Sequence, residues 1–235
     1  MEGNLDNATF VPENTNVPSI NLYLNGTAQL RGDKRLGVAI TVTKNMMEDS
    51  AIDLKDYIES LLVERIGSAL EQSIFNGDGS QLGFLGIAKD TNVVSSPLNI
   101  NAATIDQLRA IQNLVHDKAL PNSVWYMNRT FFNEVTRLQD GNKNYYVSYQ
   151  SGVPYLLGSP IEITGGLAAD TASGNIPVVY GDISMGYTCG IAKEIESYTT
   201  SSTADALRGT VTFTVYMLVD GCVTNYAALA VGKVA

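Results

Sequence analysis

The chain of 235 residues has one histidine, two cysteines and one tryptophan, and only 17% of its residues are charged. Each scarcity excludes something. With His116 as the only histidine, no HExxH or other two-histidine metal pattern can form, and no serine sits in a GxSxG elbow. Hydrolase and zinc chemistry lack their minimum parts. Cys189 and Cys222 stand far apart and make no CxxC pair, so neither a metal knuckle nor a disulfide framework is indicated, and a reducing compartment is expected. No apolar run reaches the roughly 18 residues of a membrane helix, and MEGNLDNATFVPENTNVPS at the N-terminus has neither the basic start nor the apolar core of a signal peptide. The expectation is a soluble protein made in the cytoplasm, with no membrane partner. Basic charge is scarce too: 15 Lys and Arg stand against 24 Asp and Glu, a formal net charge of -9, and no basic cluster exceeds RGDKR at Arg31–Arg35. Counterion-release binding has no electrostatic footprint, so sequence-specific reading of nucleic acid is not expected.

Hydrophobic residues, by contrast, make up 45% of the chain. A chain of this length buries roughly 70–75% of the surface it exposes when unfolded, as one large or two small domains. With so little charge, the surface must be rich in Ser, Thr, Asn and Gly. After a polar lead over Met1–Ser19, INLYLNGTAQL (Ile20–Leu30) alternates apolar and polar residues, and GVAITVT (Gly37–Thr43) alternates again. The pair reads as a hairpin arm around a Gly- and charge-rich bend.

The strongest periodic signal is EDSAIDLKDYIESLLVERIGSALEQSIFNG, with Asp49 or Ser50 as the cap and apolar residues at helical spacing from Ile52 to Ile74. A helix of about 24 residues would be roughly 36 Å long, a spine for other elements to lie across. A second helix follows a capping Thr104 and ends near His116; SVWYMN reads as a buried strand, NRTFFNEVTRLQ as a short helix and DGNKN as a turn. Short strands are expected in SPIEIT, IPVVYGD and GYTCGIAKEIESYT, and a closing β segment in GTVTFTVYMLVDG and TNYAALAV. The fold class is α+β.

Candidate chemistry is thin. Asp53, Asp56, Glu59 and Glu64 share the long helix, where a solvated face with N-terminal dipole compensation explains them. In SIFNGDGS (Ser73–Ser80), an EF-hand counted from Asn76 would place Leu82 at a ligand position and Ile87 where a glutamate belongs. A P-loop would need a lysine after the second glycine and a strand before it. The stretch is read as the stop at the end of the helix. No catalytic, cofactor-binding or metal-binding residue is assigned.

The order of these pieces resembles the tailed-bacteriophage major capsid proteins. KRLGVAITVTKNMMEDSAIDLKDYIESLLVERIGSALEQSIFNGDGSQLGFLGI resembles the returning E-loop, the capped spine helix and its NGDG closure. PYLLGSPIEIT resembles the family's LLGYPV stretch, VVYGDISMGYTCGIAKEIE its GDFS strands, and LRGTVTFTVYMLVDGCVTNYAALAVGKV its closing strand pair. The likeness runs from about Ile20 to Val234. It implies an N-terminal lead and partial E-loop arm over 1–45. A P-domain would cover 46–100 and 196–223, with the spine helix at about 51–76, and an A-domain 101–195 and 224–235. It also implies a non-enzymatic subunit that assembles with copies of itself into hexamers and pentamers of an icosahedral shell around double-stranded DNA, which it contacts without sequence preference. Scaffold, portal and head protease are the further expected partners, and the virion capsid, assembled in the host bacterial cytoplasm, the expected location. An encapsulin-type cargo shell is the alternative. Family members usually carry an N-arm and an outgoing E-loop half ahead of this region, so a truncated, processed, prophage or minimal form is expected. Some relatives join an E-loop lysine to a P-domain asparagine. Lys34 could occupy the loop, but SYTTSSTADALRG (Ser197–Gly209) has no asparagine, and the crosslink is not carried over.

Overall fold

The fold is that of a computed structural model, which describes residues 30, 32, 34–49, 53–80, 83–99, 103–169 and 172–234. Strand β1 (Arg35–Thr43) leads into a one-turn helix, α1 (Lys44–Glu48), and then into the spine, α2 (Leu54–Asn76), of 23 residues. The spine starts three residues later than the sequence reading placed it. Asp49 ends α1, and the cap of α2 is Asp53, whose carboxylate accepts from the N–H groups of Lys55 and Asp56. Leu54, Ile58, Leu62 and Ile66 recur every fourth residue and are buried, whereas Tyr57, which fits the same periodicity, is 56% exposed. Ser50–Ile52 and nearly all of the expected first strand, Ile20–Leu30, lie outside the described residues.

Two sheets flank the spine. The smaller is antiparallel in the order β1-β9-β8, from β8 (Tyr187–Thr200) and β9 (Thr210–Val223). The hairpin-like alternation of β1 is thus used against β9, with Val38 opposite Val215 and Val42 opposite Val211. The larger sheet has seven strands, drawn from β2 (Val94–Leu98), β3 (Val124–Met127), β4 (Val147–Gln150), β5 (Val153–Leu156), β6 (Ser159–Ile163), β7 (Val178–Gly181) and β10 (Leu229–Val234). Its order is β2-β10-β7-β3-β6-β5-β4, parallel at β10/β2 and β3/β6 and antiparallel elsewhere. Helices α3 (Ile105–Gln112) and α4 (Arg129–Val135) belong to the chain around β3. The second helix is shorter than its sequence pattern: Asn113 caps it, and His116 lies beyond it, exposed, with its backbone N–H on the Ala227 carbonyl.

Alternation along the central strands decides which core each residue joins. Val178 and Tyr180 of β7 face one cluster with Trp125, Met127, Leu108, Ile111 and Phe131, whereas Val179 faces the other, with Leu229 and Val231. That second cluster also holds Leu54, Ile58, Leu62 and Ile66 of the spine and Phe213, Val215, Met217 and Val219 of β9. One apolar core therefore joins the spine to both sheets. The expected division at 195/196 falls inside the continuous strand β8, and β2 lies in the larger sheet beside the C-terminal strand.

The spine ends in a closed backbone contact. The last carbonyls of a helix have no partner within it. Here the N–H groups of Ile87 and Ala88 donate to the Ile74 and Phe75 carbonyls, at 2.9 and 2.8 Å, and Gly86 N–H donates to the Gly77 carbonyl at 3.0 Å. Gly77 is extended (φ -59, ψ 143), not left-handed, and its necessity is steric: a β-carbon there would stand 2.2 Å from the Phe84 carbonyl oxygen and 2.5 Å from that of Ser73. Gly77→Val is expected to cost about 3 kcal/mol or more, measured by chemical denaturation, because the obstructing atoms are backbone and cannot repack. Calcium or phosphate should leave the wild-type transition unchanged; a wild-type-like G77V curve would overturn the closure.

Candidate functional site

The loop that most resembled a ligand site is tied to itself. Asp78 accepts from Ser80 N–H at 3.0 Å and bridges to Leu85, and Gly79 supplies the left-handed residue at φ +69. Those Ser80 bonds, backbone first, hold the Asp78 carboxyl below its ordinary range. Asp140 does the same work in DGNKN, accepting from Asn142 and Asn144 N–H at 2.8 Å each. Asp53 and Asp56 sit exposed at the spine's N-terminus and Glu64 farther along it is also exposed, whereas Glu59 is half-buried. Among the described residues, no group of three or more His, Cys, Asp or Glu is placed to hold a metal ion. Cys189 and Cys222 are both free, with thiol pKa values raised mainly by burial, and His116 Nδ1 accepts from the Lys118 N–H.

The motifs carrying the family resemblance have structural uses. In YGDIS, Gly181 adopts φ +144, and a β-carbon on it would meet the Ala228 carbonyl at 2.1 Å. Asp182, buried, accepts from Ser184 Oγ and Met185 N–H and caps the turn α5 (Ile183–Gly186), while its own N–H donates to Ala228. In LLGSP, Leu157 and Gly158 at φ 51 and 88 form the two-residue turn between β5 and β6. Trp125 Nε1 donates to the Leu156 carbonyl at 3.1 Å, and the Tyr180 hydroxyl bonds Ser159 Oγ at 3.0 Å, so the turn is anchored in the core.

Two polar features had no sequence signal beyond ordinary surface residues. Lys34 Nζ lies 3.1 Å from Asp220 Oδ1, with side chains 19% and 5% exposed, so the candidate crosslink lysine is an ion-pair partner within its own chain. On the outer side of the smaller sheet, Tyr198 and Tyr216 stack at 5.6 Å with planes 5° apart, and the Arg35 guanidinium lies 4.1 Å from the Tyr216 ring centre. The Glu196 carboxylate accepts from Lys193 Nζ at 2.7 Å and from both tyrosine hydroxyls. Lys193 first, then Tyr198, lowers the Glu196 pKa to about 2. Strand pairing assembles this cluster: Glu196 is opposite Tyr216 and Tyr198 opposite Thr214, a register that linear spacing does not reveal.

The model of the phage capsid family matches residues 6–234, and the chain belongs to that family; it is a major capsid protein. No curated protein matches the chain in sequence. Among solved structures, the capsid of an empty GTA particle is similar with a TM-score of 0.72 and 17% identity, over 94% of this chain and 81% of that one. The Gordonia phage Cozz structure gives 0.66 and 14% over 97% and 79%, and the Microbacterium phage Oxtober96 structure 0.66 and 15% over 86% and 72%. These likenesses bear out the fold class, and the encapsulin alternative is not favoured.

Lys34→Met removes the cation from Asp220, which still accepts from Gly221 N–H at 2.9 Å, and is expected to cost about 2 kcal/mol, below the range for fully buried pairs because Lys34 is partly solvated and Asp220 keeps other contacts. A double-mutant cycle with Asp220→Asn should show positive coupling, and additive losses would remove the pair as a stabilising contact. Because the folded pKa of Glu196 lies below its ordinary value of 4.5, its contribution is present above pH 4.5 and is lost as the pH falls toward 2. Carboxyl NMR should place the Glu196 midpoint near 2, and Lys193→Met should move it up; an unshifted wild-type midpoint would dissolve the cluster.

Proposed function

We propose that copies of this chain assemble into the hexamers and pentamers of an icosahedral head enclosing double-stranded DNA, and that the subunit is not an enzyme. The observation that carries this reading is the family match over 6–234, spanning the spine and both sheets. A net charge of -9 supports DNA confinement without adhesion, since the subunit offers no basic stripe to release counterions. Scaffold, portal and head protease are the proposed further partners and the virion the proposed location, with assembly in the host cytoplasm. Among the described residues no helix is long and apolar enough to cross a membrane.

Within the subunit, we assign the spine and the smaller sheet to a P-domain, about 34–93 and 187–223, and the larger sheet to an A-domain, about 94–186 and 224–234. Sheet membership supports these bounds. Negative-stain microscopy and light scattering of the purified chain test the proposal: shells or ring-shaped capsomers are expected. A protein that stays monomeric at high concentration and shows turnover would overturn it, and shells purified with a host enzyme inside would favour the cargo-compartment alternative.

A further inference from the structure

Three charged side chains meet at the Tyr216 ring, and only two of them pair. Lys193 Nζ and the Glu196 carboxylate stand 2.7 Å apart. The Arg35 guanidinium, 4.1 Å from the ring centre, makes no ion pair or hydrogen bond among the described residues. Arg35 and Lys193 against Glu196 leave one positive charge there, on a chain whose 24 acidic residues outnumber its 15 basic ones. A guanidinium presents its N–H donors in a rigid planar fork that fits the two oxygens of a carboxylate.

The fork is held in place. Tyr216 stacks on Tyr198 and donates its hydroxyl to Glu196, so the ring that carries Arg35 is fixed from the β8 side. On the β1 side Gly37 stands opposite Tyr216, and a β-carbon on it would lie 2.9 Å from the tyrosine's own. That missing side chain, with the small Ala39 opposite Thr214, leaves a hollow of about 270 Å³ lined by Arg35, Gly37, Val38, Ala39, Thr214 and Tyr216. The Thr214 hydroxyl, like Arg35, has no hydrogen-bond partner among the described residues. A preorganised cation, a free hydroxyl and an aromatic ring thus converge on a space just below the roughly 300–1,000 Å³ of drug-sized ligand sites.

We infer that this hollow on the outer side of the smaller sheet is a binding site for a small organic carboxylate, gripped by Arg35 with the Thr214 hydroxyl beside it. The single residual charge matches a monocarboxylate, and the size of the hollow admits a molecule of few heavy atoms. The site does not depend on assembly, since every group named belongs to one chain.

The probe is 4-fluorobenzoate observed by fluorine NMR, where exchange with a large particle broadens the line whether the chain is free or assembled. Wild-type protein should broaden the line, and unlabelled benzoate should restore it while chloride at the same concentration does not. Arg35→Lys keeps the charge but loses the fork, and should weaken binding about fivefold, the scale of one lost hydrogen bond. Arg35→Gln should abolish the broadening, with thermal melting as the control for folding. If the Arg35 variants fold poorly, Ala39→Leu, which fills the hollow and leaves the cation in place, is measured instead and should abolish it too. An unbroadened line with wild type, equal broadening by a folded Arg35→Gln or Ala39→Leu, or restoration by chloride alone overturns the inference. A doubly capped peptide with one glutamate that displaces the probe at lower concentration than benzoate also overturns it, and makes the hollow a docking point for another protein.

Discussion

The closed end of the spine is the contact on which the rest of the subunit depends. A helix of 23 residues can serve two sheets only if its far end is held as firmly as its middle. The middle is held by burial of Leu54, Ile58, Leu62 and Ile66 in a core shared with β9. The far end is held by backbone: Gly77 and Gly86 approach so closely that neither can carry a side chain without collision, and the returning chain satisfies the Ile74 and Phe75 carbonyls. Phe75 is thereby set against Tyr126 of β3, with ring centres 5.5 Å apart. Glu71, one turn back, accepts from the Thr164 hydroxyl just past β6. The spine's orientation relative to the larger sheet follows from this end.

A second constraint sits where the chain passes from one sheet to the other. The passages at Gly181–Tyr187 and Val223–Leu229 lie against each other: Gly186 carbonyl accepts from Thr224 and Asn225, and a β-carbon on Gly186 would collide with Leu229. Two glycines permit this approach, and Asp182 N–H donates across it to the Ala228 carbonyl while the Asp182 carboxylate caps α5. With the spine's end closed on one side and these passages interlocked on the other, the sheets cannot turn relative to each other without opening the common core. A subunit braced in this way keeps its two sheets in one relative orientation.

Much of this was legible in the sequence. The spine and the alternation of β9 are read from apolar periodicity, because burial on one face is what that periodicity encodes; the spine's end is read from Asn76 or Gly77, and the buried strand at Trp125 from its aromatic and β-branched composition. The start of the spine was missed because Asp49, Ser50 and Asp53 are all competent caps, and local propensity cannot rank them. His116 was placed at a helix end because NLVHDK continues the apolar spacing, yet its backbone is taken by Ala227, over a hundred residues away. The ion pair of Lys34 with Asp220 and the cluster around Glu196 were illegible for the same reason: strand pairing creates them across long sequence separations.

The carboxylates of this subunit are spent on fixing the backbone. A reactive carboxylate needs an acceptor position free for substrate or proton. Here Asp53, Asp78, Asp140 and Asp182 each accept from nearby N–H or hydroxyl groups in a cap or turn, Asp205 in the short helix Thr203–Arg208 accepts from the N–H and hydroxyl of Ser202, and Asp220 meets a lysine. Hydrogen bonds from Ser80, Asn144 and Ser202 hold the carboxyls of Asp78, Asp140 and Asp205 below their ordinary range, toward the permanently charged form. A group held charged in that way is a poor proton carrier at neutral pH and a good backbone clamp. Residue types that elsewhere do chemistry are used in this chain to fix turns, and the turns fix the surfaces through which a capsid subunit acts.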